Sequence, residues 1–133
     1  MSNYGYTQGT TYSIRHLSPD AKDMQSDIDS ILSRVNQSLS TYLKESLISK
    51  VNRNETKKLD SLCERVLKSA LYIAKKTNGA FDPTVAPLVN FWGFGFEEIK
   101  QKNESSISTL LGTVGYNKIH LNGDEIVKDN PKT

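Results

Sequence analysis

Cysteine and tryptophan each occur once in the 133 residues, and histidine twice. The lone Cys63 excludes an internal disulfide and any metal site built from several thiolates. It falls among the apolar positions of an expected helix, where a packing role is the simpler reading than a reactive thiol. Glycine is limited to eight residues, no two adjacent, and the chain has neither a Walker sequence nor a dinucleotide glycine fingerprint. No apolar run approaches the roughly 20 residues that a membrane helix needs. Met1-Ser2-Asn3-Tyr4-Gly5 has neither the basic start nor the apolar core of a secretory signal. The chain is therefore expected to be soluble as written, a targeting segment removed ahead of it being the alternative. An excess of one charge is also missing: 17 Lys and Arg face 15 Asp and Glu, a net +2. Lys57-Lys58 and Lys75-Lys76 are isolated pairs near expected helix ends, where cations complement the dipole. With no basic stripe, nucleic acid is not an expected partner.

What is present concentrates in one place. Residues 79–95 hold the only Trp, three of the four Phe, two of the four Pro and three of the eight Gly. Rigid backbone and flat aromatic surface in one stretch suit either a ligand wall or a core plug.

The length fits one domain with a real core, and the mean hydropathy of −0.51 is on the polar side of globular. Residues 10–16 alternate as a strand, with Tyr12 and Ile14 on one face. Ser18 as N-cap and Pro19 at the first position open a helix that runs to about residue 38, with Met24, Ile28, Ile31, Leu32, Val35 and Leu39 at helical spacing. Its acids Asp20, Asp23, Asp27 and Asp29 spread around the axis and read as a solvated face. Residues 40–54 look polar and irregular. A second helix over residues 59–77 is apolar at Leu62, Val66, Ala70, Ile73 and Ala74, and stops at Asn78-Gly79, where Gly79 can take the left-handed C′ position. Asp82 and Pro83 then cap and start a short helix that Gly93 ends. Residues 105–111 form another short helix. Residues 118–127 read as a hairpin around Asn122-Gly123, a favoured type I′ pair. This order of elements predicts an α+β fold.

Catalytic chemistry needs a nucleophile with a base, a metal cluster or a tuned carboxylate pair. The sequence supplies none: His16 and His120 lie in expected strands without companions, and the neighbouring acids of Glu97-Glu98 and Asp124-Glu125 point apart in an extended chain. Binding is better supported. Ala80-Phe81-Asp82 follows a Gly and precedes a Pro, which constrains the backbone and lets main-chain groups approach a ligand while Phe81 offers a flat surface. Asp82 suits a ligand hydrogen bond and a helix cap about equally well.

Three segments together resemble the ApbE family in order and spacing: Thr7-Gln8-Gly9-Thr10-Thr11-Tyr12, then Ser40-Thr41-Tyr42 with residues 46–52, then residues 78–95. The resemblance spans essentially the whole chain, including the Val114-Gly115 turn. Members of this family are FAD:protein FMN transferases. They cleave FAD and pass FMN to a threonine of a target flavoprotein with the help of Mg²⁺, a transfer in which metal and positioning carry most of the work. The resemblance implies a two-layer sheet-and-helix α+β domain with the flavin in a cleft. It implies flavin contacts at Gln8, Tyr42, Ala80, Phe81 and Asp82, with no catalytic or metal residue assigned. Two departures stand out: Gln8 replaces a usual Met, and Leu47 stands where an acid is common.

Members also carry a later Asp-Leu-Gly-Gly-Ile-Ala-Lys-Gly-like segment and an Asp/Thr constellation that complete the FAD and Mg²⁺ sites. Neither matches anything in this chain. Residues 1–133 are therefore expected to be the N-terminal part of a single ApbE-like domain, inactive alone, with the Mg²⁺ ligands elsewhere. A non-catalytic flavin-binding or protein-interaction module is the alternative, as is pairing with the missing half or a second copy through the exposed edge of the last hairpin. The resemblance places parent proteins on the periplasmic face of the bacterial inner membrane as lipoproteins; a cytoplasmic location is the other reading.

Overall fold

The computed structural model describes residues 1–17, 19–20, 22–95 and 104–133. They form two compact units, Met1–Arg53 and Asn54–Thr133. The fold mixes helix and sheet, as the α+β expectation has it.

The first unit opens with an antiparallel hairpin, β1 (Ser2–Thr7) and β2 (Thr10–Arg15), in register from Ser2 opposite Arg15 to Thr7 opposite Thr10. Only the second strand is legible by alternation, because β1 carries Ser, Asn, Gly and Thr in place of apolar residues. The two-residue loop puts Gln8 at φ 52 and Gly9 at φ 78, the type I′ pattern that matches strand twist. Gly5 is required opposite Tyr12: a Cβ there would lie 2.5 Å from the Tyr12 ring.

Helix α1 runs Gln25–Leu39, later than the expected start at Pro19. The proposed cap Ser18 lies outside the described residues, and Pro19-Asp20 forms a turn. The Asp23 carboxylate instead accepts from the Gln25 amide at 2.9 Å, so the helix begins where that aspartate is anchored. Within the stretch read as irregular, α2 (Leu47–Asn52) is capped by Ser46, whose hydroxyl accepts from the Ser49 amide. Among the described residues Val51 is the one buried apolar residue of this unit, in company with buried Asn3, Ser38, Ser46 and Ser49.

The second unit is built on α3 (Ser61–Lys76), capped by the Asp60 carboxylate on the Cys63 amide at 2.8 Å. Its buried line runs through Cys63 and Ala74, while Val66 and Ile73, expected on the core face, are exposed. The helix is apolar on more than one side, so spacing alone could not choose the stripe. It ends in a Schellman motif: the Gly79 amide reaches the Ala74 carbonyl at 2.9 Å and the Asn78 amide the Lys75 carbonyl at 3.3 Å. The C′ residue is thus Asn78 (φ 50), with Gly79 (φ 81) after it.

Helix α4 covers Ala86–Phe91, with Pro87 in its first turn, and closes in a second Schellman motif at Gly93 (φ 83). Its expected start at Pro83 is displaced because Asp82 is engaged elsewhere, as shown below. Helix α5 (Glu104–Leu111) precedes a single 3-10 turn at Tyr116–Lys118 and a hairpin of β3 (Ile119–Asn122) and β4 (Glu125–Lys128). The hairpin loop is Gly123-Asp124, since Asn122 pairs with Glu125. Only Gly123 has positive φ, at 61, which fits type II′ with glycine first. Residues 57–59 lie along β4 through the Leu59 amide to the Asp124 carbonyl and the Ile126 amide to the Lys57 carbonyl. Among the described residues of this unit, Leu59, Cys63, Ala74, Phe91, Ile119 and Ile126 are the buried apolar ones.

Two outcomes follow from this core. Asp60→Ala removes the α3 cap and should destabilise the second unit by about 1 kcal/mol in denaturant unfolding. Burial, aided by the Asp60 charge, pushes the Cys63 thiol up to about 11. The folded chain should therefore react with a thiol reagent only at the rate of unfolding.

Candidate functional site

The five residues with implied flavin contacts are divided between the units, and each unit has its own means of holding them. In the first, a hydrogen-bonded clamp joins the hairpin to α1. Asn3 is buried, and its amide nitrogen donates to Asp23 at 2.7 Å and Gln25 at 3.2 Å. Its oxygen faces His16 Nε2 at 3.0 Å, so that ring nitrogen carries the hydrogen. Tyr12 donates to Asp29 at 2.5 Å, and the Gln25 amide nitrogen donates to Tyr12 at 2.7 Å and to Asp29. Asn36 reaches Thr7 at 3.2 Å. The helix rises about 16 Å from Gln25 to Asn36, close to the about 14 Å of strand between Asn3 and Thr7. Helix and strand therefore run side by side.

That arrangement sets the position of Gln8 and Tyr42. Gln8 stands in the hairpin loop immediately after the Asn36–Thr7 bond, and Tyr42 follows the C-terminus of α1, so both lie at one end of this unit. The loop carrying Tyr42 is shaped by serine: Ser46 donates to the Ser40 carbonyl at 2.6 Å, Ser49 donates to it at 3.4 Å, and the Tyr42 amide donates to Ser40 Oγ at 3.3 Å. Tyr42 itself is 83% exposed. The hydroxyl-rich segment is thus a folded support for an outward aromatic ring.

In the second unit, Ala80, Phe81 and Asp82 follow the Schellman end of α3. Thr77 holds this turn, accepting from the Ala80 amide through its carbonyl at 3.1 Å and from the Phe81 amide through its hydroxyl at 3.2 Å. The Phe81 ring is 45% exposed. Asp82 makes an Asx turn: Oδ1 accepts from the Thr84 amide at 2.8 Å and the Thr84 hydroxyl at 2.7 Å, and Oδ2 accepts from the Tyr116 amide at 2.8 Å. Thr84 is buried and accepts in turn from the Gly115 amide at 2.7 Å. Gly115 takes φ 147, and Lys118 donates to the Gly112 carbonyl at 2.6 Å past the end of α5. The Tyr116 ring lies against Gly79, where an added Cβ would meet it at 3.4 Å.

The sequence gives Thr84 no site role beyond the start of a short helix and none to Tyr116; the Asp-Pro-Thr spacing of an Asx turn is the one available signal for Thr84. Of the aromatic stretch beyond them, Phe91 is buried and sits edge-on to Trp92 at 5.3 Å and 86°, while Trp92 and Phe94 are 58% and 87% exposed. Packing therefore falls to Phe91, and the other two rings face outward. Phe96 and Glu97-Glu98 lie outside the described residues.

A match to the family described as ApbE covers residues 8–133. The chain belongs to the ApbE family. It is 33% identical over 137 aligned residues to a FAD:protein FMN transferase of Vibrio cholerae, covering 96% of this chain and 41% of the relative. It is 35% identical over 132 to one of Haemophilus influenzae, covering 91% and 38%. The solved flavin transferase ApbE from Vibrio cholerae superposes with a TM-score of 0.87 at 31% identity, over 99% of this chain and 46% of that one. The Pseudomonas stutzeri flavinyl transferase ApbE, with a TM-score of 0.84 at 24% identity, shares the fold. The chain spans about two fifths of the length of these curated relatives.

FAD appears in the description of these relatives. Exposed Phe81 and Tyr42 rings on anchored turns fit a planar heterocycle. Among the described residues no three His, Cys, Asp or Glu side chains gather, and Asp82 is already engaged by three donors.

The clamp predicts a pH window. Hydrogen bonds from the Gln25 amide and Asn3 hold Asp23 below the ordinary 3.8, and those from Tyr12 and Gln25 hold Asp29 below it. Hydrogen bonding to Asp29 raises Tyr12 above 10.0. The carboxylates stabilise the fold above about pH 4, and their contribution disappears as pH falls through their lowered values. The phenol's contribution is complete below about pH 10 and disappears as pH rises through its raised value. Thermal melts by circular dichroism should show a plateau between these limits, and Tyr12→Phe should flatten the alkaline limb.

Proposed function

We propose that this chain supplies the flavin-holding part of an FAD:protein FMN transferase, an enzyme that cleaves FAD and attaches FMN to a threonine of a target flavoprotein. The observation that carries the reading is the pair of anchored, outward aromatic turns at Tyr42 and Phe81, in a chain whose 33% identical relative is a named FAD:protein FMN transferase. On this reading residues 1–133 are part of one ApbE-type domain. Gln8 and Tyr42 of the first unit and Ala80, Phe81 and Asp82 of the second are its flavin contacts, the rings offering stacking faces and the Asp82 main-chain amide, which has no acceptor among the described residues, offering a hydrogen bond. Within this set Thr77 and the Asx turn hold Phe81 in place, so the binding surface needs little ordering when flavin arrives.

The magnesium ion of the reaction, which stabilises charge on the transferred phosphate, belongs to residues outside this chain. The 133 residues then bind FAD without turning it over. The parent protein acts as a lipoprotein on the periplasmic face of the bacterial inner membrane. Completion of the site by the remainder of the parent or a second copy is supported by the last sheet, in which β3 has no strand on the side away from β4 among the described residues.

Titrating FAD against the purified chain should give saturable quenching of flavin fluorescence, weakened about tenfold by Phe81→Ala. With Mg²⁺ added, FAD should remain intact. Steady FAD hydrolysis would overturn the assignment of the metal to other residues. An absence of binding would favour a protein-interaction module instead.

A further inference from the structure

The Asp82 carboxylate is the group of the 80–82 run whose chemistry most invites assignment as a ligand contact, and it is also the most heavily engaged. A carboxylate offers about four acceptor positions, and three are filled from within the second unit. The donors come from two distant stretches of sequence, residue 84 and residue 116. The Thr84 hydroxyl extends the chain of bonds by accepting from Gly115. Two amides and one hydroxyl would therefore lose their acceptor if Asp82 turned to a ligand, and unsatisfied donors of this kind are costly. The Asp82 main-chain amide, by contrast, has no acceptor among the described residues, whereas those of Ala80 and Phe81 are bonded to Thr77.

From this geometry we infer that Asp82 is a positioning residue: its carboxylate, with Thr84, ties the 80–84 turn to Gly115-Tyr116, and the run meets flavin through the Phe81 ring and the Asp82 amide. Tyr116 becomes part of the same wall, because its amide is held by Asp82 and its ring rests on Gly79. The inference rests on the flavin reading above for its ligand, but the tie itself stands on hydrogen bonds alone.

Two substitutions separate the roles. Asp82→Asn keeps an oxygen for Thr84 but presents a donor to the Tyr116 amide, so it breaks that link. Thr84→Val keeps the carboxylate and its charge while removing the hydroxyl between Asp82 and Gly115. Amide hydrogen exchange at Gly115 and Tyr116 reads the tie without flavin, and FAD fluorescence titration, well below the melting temperature, reads the coupling. A positioning role predicts faster exchange in both variants and FAD affinity weakened by a similar factor, about tenfold. It also predicts a double variant little worse than either single one, and near-parental affinity in Thr84→Ser. Unchanged affinity in Thr84→Val with a loss in Asp82→Asn would overturn the inference, since the carboxylate would then be touching the ligand. Unchanged exchange at Tyr116 in Asp82→Asn would overturn it as well. If the parental chain shows no saturable FAD binding, the flavin reading fails, and exchange at Gly115 and Tyr116 decides the tie by itself.

Discussion

The conformation of residues 79–84 depends on the carboxylate of Asp82. Asp82 turns the chain before Pro83 by accepting from Thr84, and it fixes the start of the 3-10 turn by accepting from Tyr116. Because both bonds fall on one side chain, the segment after α3 and the segment after α5 are set by a single group. The positive φ values on either side of the join fall at Asn78 and Gly79, in the Schellman end of α3, and at Gly115, residue types that adopt them most readily.

The first unit solves the same problem with more polar material. Its described buried residues are mainly Asn and Ser, so apolar burial alone is a weak source of order there. Direction and register come from side-chain hydrogen bonds, with Asn3 and Tyr12 at one end of α1 and Thr7 at the other. Polar contacts of this kind are individually modest but directional, which suits a unit that must hold a two-residue loop and an exposed tyrosine in defined positions.

Sequence periodicity showed what burial produces and missed what polar bonding produces. Helix α3, the Gly93 stop and the last hairpin were legible because caps, glycine and alternation mark them. Strand β1 and helix α2 were not, since Asn3, Ser46 and Ser49 point inward and look like loop residues in the sequence. The start of α4 was misplaced for a related reason: Asp82-Pro83 has the composition of a helix cap, but residue 116 competes for the carboxylate. The five expected flavin contacts rest on family likeness alone. Of their supports, Thr77 and Thr84 are local to the run, whereas Tyr116 could be found only once a distant segment was seen beside it.

The central claim is that the anchored turns face a flavin. Its most direct test is a two-dimensional amide NMR spectrum of the isotope-labelled chain during addition of FAD. The account predicts saturable shifts concentrated at Gln8, Tyr42 and residues 79–82, with Cys63 and the buried line of α3 unmoved. Shifts confined to α3, or spread evenly over the chain, would contradict it.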